Sequence, residues 1–171
     1  MNARPHFATL ARYNAWATRR LFAHVDALAE ADYRRTAGLF FKSIHGTLNH
    51  LLVAEHALWR RRFADGVSPR LALDAELETD RLRLRERLIE GAAAWLPLIE
   101  SWPEDRFDEA SLLEYTSTQG VAMRLPFAPA LAHVFNHGTH HRAQITAAIT
   151  AMGRPCPELD MVWMLQEESR A

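Results

Sequence analysis

Cysteine is nearly missing from this chain. One residue, Cys156 between Pro155 and Pro157, stands in 171, so an internal disulfide and Cys-x-x-Cys metal or redox sites are excluded. A lone loop cysteine is most simply incidental. No H-E-x-x-H occurs either, which removes the zinc-peptidase pattern. Apolar runs are short of the roughly 20 residues that span a bilayer, and M-N-A-R-P-H-F-A-T-L lacks the apolar core of a signal peptide. A cytoplasmic protein is therefore expected. A charge excess is lacking too: 20 Lys plus Arg face 21 Asp plus Glu, and nothing in that balance favours nucleic acid or an anionic membrane. The arginines from Arg81 to Arg87 alternate with leucine and glutamate at helical spacing, as a solvated helix face does. The length suits one domain over 1–171, with a core that needs no disulfide support.

Helical periodicity dominates what is present. Pro5 suits a first helical turn, and Phe7, Leu10, Ala17, Leu21, Val25 and Leu28 recur at helical spacing. Ser43 can cap a second helix running to the Asp65-Gly66 break. Asp74 announces a third that continues through Trp95 and Ile99, with Pro97 kinking or shortening it. Between Phe107 and Pro126 the period fades into two extended pieces about Gln119-Gly120, a small hairpin or an ordered loop placed to lid a pocket. Pro126 and Pro129 open a fourth long helix, closed by Gly153 and Pro155. A short terminal helix over Leu159 to Glu168 should pack through Val162, Trp163 and Leu165.

Histidine is the abundant residue: nine in all, four of them within H-V-F-N-H-G-T-H-H-R-A-Q from His133 to Gln144. Imidazole titrates near neutrality and is the commonest protein ligand for borderline metals. Residues four apart share a helix face, so His133 with His137, and His137 with His141, are both candidate pairs, and His137 with His140 is the three-apart version. A helical wheel puts His141 at the edge of the apolar arc with His137 beside it, and His133 and His140 on a wetter side. That favours His137 and His141. The second helix carries His45, His50 and His56 on two flanks, and periodicity does not say which flank faces the fourth. His6, His24, His45 and His56 read most simply as surface or satisfied polar groups.

Two charges interrupt the apolar stripes. Glu55 falls in the middle of the second helix's apolar face and Arg142 within the fourth's, and an unpaired buried charge costs several kcal/mol, roughly. Either the two are partners or their long stems are buried while the charges snorkel outward.

R-Y-N-A-W-A-T-R-R-L-F at Arg12–Phe22, S-I-H-G-T-L-N-H-L-L-V-A-E at Ser43–Glu55, F-N-H-G-T-H-H-R-A-Q at Phe135–Gln144 and L-D-M-V-W-M-L-Q-E at Leu159–Glu167 resemble the DinB/YfiT-like family of bacterial proteins. The likeness spans nearly the whole chain. It departs at Ala143, where the family commonly has glycine. The resemblance implies an all-α, up-down four-helix bundle with a short C-terminal helix, and a three-histidine metal site on His50, His137 and His141. His50 rests on the resemblance alone. It further implies a divalent ion, zinc or nickel or another first-row metal, a homodimer, and for the characterised relatives a low-molecular-weight thiol as co-substrate. The implied activity is a thiol-dependent S-transferase acting on an electrophilic small molecule. Metal-assisted hydrolysis and a non-catalytic metal- or ligand-binding stress protein are the alternatives. Glu55, His133, Arg142 and Gln144 are candidates around the ion: His133 or Arg142 to orient an anionic substrate, Gln144 to hold a ligand imidazole, and Glu55 or a spare histidine as a base for hydrolysis.

Overall fold

A computed structural model describes residues 3–170. They are mostly helical, with one two-stranded antiparallel sheet. The first helix, α1, covers Ala3–Val25, followed by the short α2, Glu30–Arg34. Ser43 caps α3, Ile44–Leu51, its hydroxyl accepting from the Gly46 N–H at 2.9 Å. The same helical rod then widens into a π-helical stretch, Leu52–Trp59, and resumes as α4, Arg60–Asp65, ending at Gly66 in the left-handed conformation that glycine adopts without strain. The helical period foretold the rod and its two ends but not the widening.

The third long stretch differs from expectation at its start. It begins at Arg81 rather than near Asp74, because Asp80 is the residue whose carboxylate accepts the Arg83 N–H, at 2.8 Å. The segment before it is held otherwise: the Asn49 amide donates to the Glu78 carbonyl and accepts its N–H, both at 3.0 Å. Helix α5, Arg81–Ala93, breaks at Ala94 and continues as α6, Trp95–Ser101. Pro97 is the cause, since it has no N–H for the Ala93 carbonyl four residues back and its ring crowds that position. A 3-10 turn at Glu104–Phe107 leads into β1, Leu112–Thr116, which pairs with β2, Ala122–Pro126, about Gly120 at φ +83°. The expected hairpin is present. Helix α7, Phe127–Ala151, and α8, Met161–Glu168, complete the chain.

The terminal helix docks differently from the pattern's prediction. Met164 is its buried residue, whereas Val162, Trp163 and Leu165 are exposed. Polar contacts turn the helix: Arg12 pairs with Glu168, the Trp16 indole donates to Glu167, and the Tyr13 hydroxyl donates to the Leu159 carbonyl. Those partners lie on α1, out of reach of any local periodicity.

Helix α1 packs on α5, α6 and α7, and α3 packs on α7. Their apolar faces form two main clusters, one around Leu21, Phe22, Leu48, Leu84 and Ile145, the other around Phe63, Trp95, Phe127, Leu131 and Phe135. Each fully buried side chain of this size contributes about 1.5–3 kcal/mol of transfer free energy. Between the clusters lies a polar band. Asn14 of α1, Glu55 of the π stretch and Arg142 of α7 are all buried there, at the same height as the histidines of α3 and α7.

Candidate metal centre

Within that band the structure brings His50, His137 and His141 together. Their candidate ligand nitrogens all lie within 4.8 Å of one another. His137 Nε2 stands 3.2 Å from His50 Nε2 and 3.1 Å from His141 Nε2. Two nitrogens each about 2.0–2.1 Å from a tetrahedral ion would be about 3.3 Å apart, so the spacing suits a first-row cation.

Proton placement makes the stronger case for a fit. His50 Nδ1 meets the Leu73 carbonyl at 2.7 Å, and a carbonyl only accepts, so the proton sits on Nδ1. His141 Nδ1 in the same way donates to Gln144 Oε1 at 2.8 Å, while the Gln144 amide donates to His140. Both rings therefore turn bare Nε2 lone pairs toward His137. A proton on His137 Nε2 can serve only one of them well, and His137 Nδ1 is itself buried without a partner among the described residues. A cation between the three nitrogens resolves the conflict. The outer partners also fix ring orientation, the usual contribution of groups behind metal ligands.

Burial keeps the triad neutral. Desolvation pushes His137 down to about 3, helped by the neighbouring His141 and His50, and pushes His141 down to about 4 against the opposing Gln144 hydrogen bond. His50 is lowered too, by burial, with the Leu73 bond opposing. Neutral imidazole is the ligating form.

The two charged residues that broke the apolar pattern lie buried among the helices that carry the triad. Glu55 and Arg142 are both buried and lie on the same side, but they make no direct ion pair among the described residues: Asn14 stands between them. Its amide donates to Glu55 Oε2 at 3.1 Å, and its carbonyl oxygen accepts from Arg142. Neither side chain snorkels. Burial raises the Glu55 carboxyl, with Arg142 and Asn14 opposing. The backbone of α7 comes so close that a Cβ on Gly138, next to His137, would collide with Glu55 Oε1. Arg142 is consequently unavailable to a substrate and Glu55 unavailable as a base.

His133 and His140 are set around the triad. The His133 side chain is exposed, its ring 5.6 Å from His137 and 5.2 Å from Trp59, and its pKa is lowered by desolvation and by nearby Arg62. It borders a cavity of about 350 Å³ lined by Trp59, Tyr115, Leu125, Pro129 and His133. The hairpin thus roofs a mostly apolar recess beside the site. His140 is exposed, 4.9 Å from the His141 ring. On the other side Phe41 stacks face to face on His50, centroids 3.7 Å apart at 14°. Nothing in the local pattern singled out Phe41 or Leu73, because both reach His50 from loops.

Of the histidines assigned plain roles, His45 is satisfied by the Tyr33 hydroxyl and Glu76, and His24 by the Pro155 carbonyl. His6 is exposed. His56 is the exception: its Nδ1 is buried without a partner among the described residues, and its ring lies where a Cβ on Gly91 would sit.

A family model described as the DinB family matches residues 1–170. The chain belongs to the DinB family. It is also 28% identical over 153 residues to Protein DinB of Bacillus subtilis (strain 168), a match covering 84% of this chain and 84% of that protein. No solved structure matches the chain significantly. The family and the histidine cluster are together compatible with metal binding in this DinB-family protein.

Proposed function

We propose that this protein is a divalent-metal-dependent enzyme that transfers a small thiol to an electrophilic, largely apolar molecule. The observation that carries the metal is the convergence of bare Nε2 lone pairs from His50 and His141 on the Nε2 of His137. Three protein ligands leave a coordination position for an incoming group, the arrangement of catalytic rather than closed structural sites. When bound, a divalent ion supplies Lewis acidity that lowers the pKa of a thiol or water reaching it. Zinc and nickel are the first candidates for a neutral imidazole set, with other first-row ions behind them.

The chain's own groups have separate tasks. The Leu73 carbonyl and Gln144 hold two ligand rings in the Nδ1–H tautomer. Trp59, Tyr115 and Leu125 offer the electrophile a mostly apolar recess next to His133. His133 is kept neutral by its surroundings and so is able to take the proton that the thiol loses as a carbon–sulfur bond forms. Hydrolysis has less support, because Glu55 is tied to Asn14 behind α7. The four long helical stretches fit an up-down four-helix bundle of one domain, and a cytoplasmic homodimer acting on a small molecule is the setting proposed for it.

Metal analysis of the purified protein beside His137→Ala tests the centre, and thiol consumption against a panel of electrophiles tests the chemistry. About one ion per chain, lost in the variant along with thiol consumption, is expected. A loaded wild-type protein that consumes no thiol would reduce the reading to metal binding alone. An unloaded one that cannot be reconstituted would remove the centre itself.

A further inference from the structure

A second cavity, of about 450 Å³, is lined in part by Phe41, whose ring stacks on His50. It opens between the turn at 39–42 and the segment at 73–76, and its volume is in the range of small-molecule sites. Several of the ionic groups around it are already matched. Arg34 pairs with Glu30 and Glu76, and Glu76 also meets His45 Nε2 at 2.6 Å. Lys42 and Asp74 are left over. Among the described residues neither side chain has an ion pair or a hydrogen bond, and although both line the one cavity they do not neutralise each other.

Lys42 is also held there under constraint. It is the only lysine in the chain, and among the described residues the only non-glycine with positive φ, at +69°. Its N–H donates to the Leu39 carbonyl and its own carbonyl accepts from Ala37, both at 2.8 Å. The turn is pressed onto α3 so closely that a Cβ on Gly46 would collide with the Phe41 carbonyl. A disfavoured backbone conformation survives only where its surroundings over-determine it, and such positions gather at ligand clamps. Phe40, 81% exposed, lines the same cavity and gives it an apolar lip.

We propose that this cavity binds a small zwitterion of the amino-acid type, with its carboxylate on Lys42, its ammonium on Asp74 and an apolar side chain against Phe40 and Phe41. A simple anion would face Asp74 uncompensated, and a simple cation would face Lys42; a zwitterion satisfies both charges. The proposal is independent of any metal at the histidines.

An NMR titration of metal-stripped and metal-loaded protein tests it, using L-leucine, L-methionine and L-phenylalanine. The matched controls are 3-methylbutylamine, which lacks the carboxylate of leucine, and N-acetyl-L-leucine, which lacks its ammonium. At least one amino acid should bind both protein forms and shift the amides of Lys42, Gly46 and Asp74. Both controls should bind about tenfold more weakly, as should the amino acid to Lys42→Met and to Asp74→Asn, at unchanged metal content. Both variants alter exposed side chains, and an unchanged circular dichroism spectrum would show that they fold. Binding of none of the three amino acids would overturn the proposal. So would undiminished binding to Lys42→Met, or binding confined to metal-loaded protein, which would mean chelation at the histidines.

Discussion

At the scale of single residues, the candidate centre depends on side chains that never touch the ion. Gln144 decides which nitrogen of His141 is bare. Gln144→Met keeps the volume and the helix but removes the acceptor, so metal affinity should fall about 10–100-fold with the fold unchanged, read by competition with a chelating dye. Gly138 acts by having no side chain: the Glu55 carboxylate occupies the space a Cβ would need. Gly138→Ala should lower stability by about 1–3 kcal/mol despite alanine's better helix propensity, seen as a reduced urea midpoint. A neutral or stabilising result would mean that the Glu55–Asn14–Arg142 band yields easily.

At the scale of elements, interruptions do the positioning. The π-helical stretch carries Glu55 and begins two residues after His50, and such widenings frequently lie at functional sites. The break at Ala94 lets α5 and α6 take separate courses along α1. Helix α8 shows how tertiary partners overrule a local pattern: three of its apolar residues face outward and Met164 faces in. Met164→Ala should therefore cost about 2–3 kcal/mol, whereas Val162→Ser should stay within about 0.5 kcal/mol, measured by thermal denaturation of the two variants side by side. The reverse ranking would restore the face that periodicity favours.

At the scale of the whole molecule, a polar band between two apolar clusters makes stability depend on protonation. Burial pushes His56 down to about 3, with Arg60 adding to it, and pushes His137 and His141 down in the same direction. A group whose folded pKa lies below its unfolded value of about 6.5 stabilises the fold fully above that pH and loses the contribution as pH falls toward 3. The urea midpoint of metal-free protein should thus drop steadily below about pH 6.5, and His56→Gln should flatten part of the slope; a midpoint flat from pH 7 to 4 would contradict the burial of these rings. Much of this molecule was legible in its sequence. Helical spacing marked the long helices, glycine and proline marked their ends and the hairpin turn, and the wheel chose His137 and His141 because two residues on one helix have a relation set by backbone geometry alone. His50 required the resemblance, since which flank of one helix meets another depends on packing between distant segments. The same limit hid Phe41 and Leu73 behind His50, placed Asn14 between Glu55 and Arg142, and turned α8 about Met164. Local periodicity determined which residues share a face; only the tertiary structure decided what each face meets, because those contacts join residues that the chain keeps far apart.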